Sequence, residues 1–314
     1  GSFSLAENIN LGDLGEISGS AIISSFSGTL NGNGKTITYQ ASFKVTGDNQ
    51  NFGLFGSVAG TGRINNLNVN ADVTMSGTGS NATLGLICGF LSDNGQISHC
   101  NVSGNINSTA AAAQYGNSST GLIIGNSEGN LMYSTASGNL VGTGFVGGLV
   151  GSMGTVLGNT FDYPLDAIIK GCYFTGSVTA MNSNSAEGYR SFGGGVCGYL
   201  QPSSTIELCV AEAVVITGEN ARGLTTSGFT LASIFGSKPT VENNYCSGTI
   251  NGNEIDTDAE CVNYNRYITT SGNYNPGTVI ENCNKTLAEC IVDALNEARC
   301  PDANNCDENF YFAV

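Results

Sequence analysis

Six segments of this chain can be laid beneath one another without a gap. INNLNVNADV starts at Ile64, ISHCNVSGNI at Ile97, LMYSTASGNL at Leu131, IKGCYFTGSV at Ile169, IELCVAEAVV at Ile206 and VENNYCSGTI at Val241. A partial copy, IENCNKT, starts at Ile280. Count the first aliphatic residue as position 0. Positions 3, 5, 7 and 9 then share one parity and hold Cys100, Val102, Gly104 and Ile106, or Cys172, Phe174, Gly176 and Val178. Positions 4, 6 and 8 hold Asn101, Ser103 and Asn105. Period two marks a strand with one buried face and one wet face. The step from 0 to 3 breaks that parity, which predicts a corner or bulge between them. Position 7 is Gly or Ala in every full copy, as a narrow interior would demand.

Most copies follow a segment ending in glycine, such as LICG at Gly89, LIIG at Gly125 and GLVG at Gly151. No copy can bury its apolar face alone, whereas copies stacked about 4.8 Å apart can. The expectation is an all-β chain folded as a parallel β-solenoid of about seven rungs. A β-sandwich would show no such register. Residues 1–50 read as a lead-in with the first rungs, 51–285 as the repeat solenoid, and 286–314 as a cap and tail. TLAECIVDALNEA has helical apolar spacing, and Thr286 with Glu289 forms a capping box, so a short helix is expected to close the C-terminal end.

Composition narrows the partners. The net charge is −15, and ten Lys and Arg form no basic stripe, which argues against nucleic acid. No apolar run approaches the roughly 18 residues of a membrane span. Charged residues make up only 11%, so the polar surface must be Asn, Ser and Thr. The chain begins GSFSL, without Met or a leader, as a processed form would. Eleven cysteines and five N-x-S/T triplets, at Asn81, Asn101, Asn107, Asn117 and Asn284, suit an extracellular or cell-surface protein and are candidate glycosylation sites.

GGLVGS followed downstream by I-x-x-C-x-x-x-G resembles the GLUG motif of bacterial surface proteins. FSLAENINLGDLGEI…FSGTLNGNGKTI, residues 3 to 37, resembles the segment that precedes GLUG repeats, and TLAECIVDALNE resembles the segment that follows them. The resemblance implies a secreted, adhesin-like β-solenoid, or an accessory region of a large surface peptidase. It carries no catalytic residue onto this chain.

The cysteines read as architecture. Cys100, Cys172, Cys209 and Cys283 occupy position 3, where other copies place Leu67, Ser134 and Asn244, so each behaves as a small hydrophobe. Cys88 and Cys197 share another apolar slot, and Cys246 takes the place of Val69 and Val102. No C-x-x-C is present and His99 is the sole histidine, so zinc is not expected. Cys172 and Cys209 fall on successive rungs, close enough in principle for a bond. Cys300 and Cys306 bracket the loop PDANN and form the candidate disulfide.

No G-x-S-x-G, Walker loop or dinucleotide fingerprint occurs. Asp256, Asp258 and Glu260 in DTDAE offer a loose calcium loop, with a solvated acidic loop as the simpler reading. The expectation is therefore a chain that is no enzyme and needs no cofactor. It would be a rigid rod whose polar face and loops meet a cell-surface glycan or protein. Two alternatives remain, a filament subunit that stacks on copies of itself and a carbohydrate-binding or carbohydrate-active solenoid. Tyr173 and Tyr245, on the wet face, could stack on sugar rings.

Overall fold

The computed structural model describes residues 1–110, 118–154, 166–181, 191–201, 203–217, 220–222, 225–227, 239–255 and 269–271. They form a parallel β-solenoid in which each complete coil carries four strands. In the coil that starts at Thr83 these are Thr83–Leu84, Cys88–Leu91, Gln96–Ser98 and Asn101–Ser108. Equivalent coils start at Asn51, Ser119, Phe145 and Phe192, giving about five complete turns. Stacking makes four sheets of nine, nine, seven and six strands. All pairings are parallel except a final hairpin between Tyr245–Ile250 and Asn253–Glu254. No helix occurs among the described residues. The expected cap helix at 286–297 lies outside them.

The register follows the sequence alignment. Ile64, Ile97, Leu131, Ile169, Ile206 and Val241 form one unbroken column, and every member is fully buried. Val69, Val102, Ala136, Phe174, Ala211 and Cys246 form a second column. The ladder also extends upstream through Leu30 and Phe3. Downstream, Val241 pairs with Thr270 of Thr269–Ser271. Ile280, where the partial copy starts, lies outside the described residues. A coil of this solenoid can close on a Thr where the repeat leads one to look for an aliphatic residue.

The corner between positions 0 and 3 is real, and its cause is one left-handed residue per coil. Asn66, His99, Tyr133, Leu208 and Asn243 all have φ between 49° and 54°, and Gly171 has φ 64°. Asn and Gly tolerate this region, but His, Tyr and Leu are uncommon there and are held by the stack above and below. The glycines at position 7 have a different cause from the one expected. Gly104, Gly138, Gly176 and Gly248 have φ of 137°, 150°, 143° and 111°. A side chain on any of them would collide with the carbonyl oxygen of the rung before it. The constraint is therefore backbone stacking on backbone rather than a narrow interior.

Position 3 is also more specific than a hydrophobic slot. The Cys100, Cys172 and Cys209 thiols each lie 3.3 Å from the carbonyl oxygen two residues earlier, on Ser98, Lys170 and Glu207. Ser134 makes the same bond through its hydroxyl at 2.8 Å. Asn244 donates to the Ile206 carbonyl at 3.0 Å and accepts the Cys209 N–H at 2.8 Å. Turning a tight corner strands backbone polar groups inside, and a short polar side chain satisfies them. Cys, Ser and Asn share that ability. Cys88, Cys100, Cys172, Cys197 and Cys209 are buried thiols that form no disulfide. Cys246 is disulfide-bonded, to a partner outside the described residues. Its slot is thus more than a place for a small hydrophobe.

Candidate functional site

The longest strand of each coil faces water on its outer side. Alternation there gives Asn101, Asn105 and Asn107, all exposed, between buried Val102 and Ile106. Stacking turns these polar residues into rows that run across the coils. Asn105 donates to Asp72 at 2.8 Å, Asn139 to Asn105 at 3.0 Å, and Ser177 to Asn139 at 2.7 Å. In the neighbouring row, Thr74 donates to Ser42 at 3.0 Å. Closer to the corner, Thr135 donates to Asn101 at 2.8 Å. Such cross-strand pairs are the sheet's own unit of stabilisation.

Between the first two rows lies a shallow trough of about 410 Å³. Gln40 and Asp72 line one side, Ser42, Thr74 and Asn107 the other, and Asp13 stands at one end. Asp13 reaches this place because its strand, Ile9–Ser18, bulges twice against its neighbour, between Asn10 and Gly12 and between Asp13 and Glu16. The Gly12 and Gly15 N–H groups are taken by the side chains of Asn10 and Asp13, both at 2.9 Å. Bulges of this kind spoil an edge for further strand pairing.

The sequence-derived sites distribute unevenly around this trough. Asn107 lines it and is exposed, and Asn101 is exposed on the same sheet. Asn81 is half-buried with its amide donating to Asn49 at 3.0 Å. Asn117 and Asn284, the DTDAE carboxylates Asp256, Asp258 and Glu260, and the pair Cys300 and Cys306 all lie outside the described residues. Among the described residues, no cluster of three or more His, Cys, Asp or Glu could hold a metal. Tyr173 donates its hydroxyl to Glu212 at 2.6 Å. Burial and then this carboxylate push its phenol up to about 12. Tyr245 is only 8% exposed, which corrects its reading as an open platform for sugar. It follows Tyr173 and Val210 in one column of the stack.

One acidic pair is invisible in the linear sequence. Leu91 pairs with Ser127, and the Glu128 N–H donates to Leu91 at 2.8 Å. Glu128 thereby sits beside the turn that holds Asp93. Burial first, and the Asp93 charge second, push the Glu128 carboxyl up to about 7. The two residues are one coil apart, so a search for adjacent carboxylates passes over them. Their signal was available only after the coil register had been applied to the turns.

Neither the protein-family models nor the curated proteins compared with this chain match it. A solved structure from Bacteroides ovatus, described as a "putative immunoglobulin A1 protease", matches with a TM-score of 0.51 and 17% identity. The match covers 88% of this chain and 74% of that one. At this identity the likeness bears on the fold. It corrects the expectation that the chain is no enzyme, because the same architecture occurs in a protein described as a protease. A solenoid is a scaffold that is neutral towards chemistry, and a site assembled across coils leaves no contiguous motif.

Proposed function

We propose that this chain is an extracellular or cell-surface β-solenoid whose long polar face binds a hydroxyl-rich, glycan-type ligand along the trough. The observation that carries this reading is the pair of short polar rows that flank the trough, Gln40, Asp72 and Asn105 beside Ser42, Thr74 and Asn107. Ordered rows on a rigid sheet lose little entropy on binding. The disulfide at Cys246 supports an oxidising compartment. The GLUG resemblance suits the same setting. A glycan array probed with the full chain tests the reading. Binding that disappears in a Gln40→Ala, Asn107→Ala double variant supports it, and an array without signal refutes it.

A second reading draws on the Bacteroides ovatus neighbour. The solenoid would belong to a secreted protein that acts on immunoglobulin A1. Incubation with that immunoglobulin, followed by mass spectrometry of the products, separates the two. Stacking of copies into a filament is the least supported alternative, since the two bulges in Ile9–Ser18 obstruct the exposed first edge.

A further inference from the structure

We propose that the trough's ligand carries amino groups: it takes an amine-bearing polysaccharide segment in preference to a neutral or acidic one. This rests on the reading of the trough as a glycan site and adds the charge of the ligand. The argument is an account of which hydrogen-bonding groups remain open. Asn105 is largely committed, because one N–H of its amide donates to Asp72 and its oxygen accepts from both the backbone and the side-chain N–H of Asn139. The Thr74 hydroxyl proton is committed to Ser42. Open to a ligand are the amides of Gln40 and Asn107, the Ser42 hydroxyl and one oxygen each of Asp13 and Asp72. Asp13 spends its other oxygen on the Gly15 N–H, and Asp72 spends its own on Asn105.

Two open carboxylate oxygens meet no cation among the residues lining the trough. The nearby Lys44 is engaged with Glu16 at 3.7 Å. The chain as a whole carries a net charge of −15. Sulfated or uronic chains therefore meet like charge both locally and at distance. Ammonium groups on separate sugar rings meet two separate acceptors, Asp13 and Asp72, which flank Gln40 on the strands to either side, and the ring hydroxyls meet the amides and Ser42.

The test is isothermal titration of the full chain with glucosamine oligomers, N-acetylglucosamine oligomers, sulfated oligomers and a lysine-rich peptide at low salt. Expected is a preference for the glucosamine oligomer over its acetylated form of roughly fivefold or more, from two exposed charge contacts. This preference should shrink at 0.5 M salt as the charges are screened. Asp72→Asn should reduce it to about twofold while leaving the melting temperature near that of the parent, because an Asn oxygen can still accept from Asn105. Equal affinity for the acetylated or sulfated oligomer, unaffected by Asp72→Asn, overturns the charge assignment but leaves the glycan reading standing. Tight binding of the peptide with none of any oligomer overturns both, and so does an absence of binding throughout.

Discussion

Gly138 lies directly over Gly104, so close that a first side-chain carbon on Gly138 would overlap the Gly104 carbonyl oxygen. The two backbones touch because both residues take positive φ, 150° and 137°, in the middle of a long strand. Ala71 and Ala213 occupy the same position in other coils, without positive φ. Gly138→Ala should therefore destabilise the fold by about 3 kcal/mol, through strain and overlap. Ala213→Gly should cost about 1 kcal/mol or less. Urea denaturation of both variants checks the contrast, and equal effects would refute the stacking account.

The position-3 slot makes a second prediction. Asn244 is fully buried and holds the Cys209 N–H. Asn244→Leu should lower stability by about 2 kcal/mol by leaving that N–H without a partner, although Leu67 fills the equivalent place elsewhere. A neutral result in thermal melts would return the slot to simple packing.

Glu128 supplies a pH test. Its carboxyl is raised from 4.5 to about 7, so the fold favours the neutral acid. That contribution is complete below the unfolded value and is lost as pH rises towards about 7. Glu128→Gln, which stays neutral, should melt about 2 °C above the parent near pH 8 and level with it near pH 4. The carboxyl is part-exposed, so screening keeps the effect small. Melting curves across this range decide the sign.

The buried thiols should be inert in the native protein. Burial pushes the Cys100 thiol up to about 12, so near pH 8 only about one part in ten thousand is thiolate. Alkylation before and after unfolding, read by peptide mass spectrometry, should label Cys88, Cys100, Cys172, Cys197 and Cys209 only after unfolding. Rapid labelling of Cys172 in the folded chain would place it outside the core.

Of the sequons Asn81 and Asn107, Asn107 should be the more heavily modified when the chain is secreted from a glycosylating host. Its side chain is exposed on the wet face, whereas the Asn81 amide is engaged with Asn49. Glycopeptide mapping reads the occupancy. Heavier modification at Asn81 than at Asn107 would contradict this order.

Alternation and register were legible from residues alone because they answer to one local rule. Side chains of a strand alternate, and stacked strands must match apolar with apolar, so Ile64 could be set over Ile97 and Val102 over Val69 on paper. Much of the candidate site escaped that rule. Asp13 meets Asp72 in one trough only because two bulges shift its strand. Glu128 meets Asp93 only through the stacking of turns. Tyr245 is buried, although its parity said wet.

The linear chain determined that identical slots would recur and pile into a dry column, because no single repeat can hide its own apolar side. Tertiary structure alone decided which polar groups would remain unspent after the coils had hydrogen-bonded to one another. That balance depends on neighbours one coil away, some 32 to 39 residues distant along the chain, and no local pattern records it.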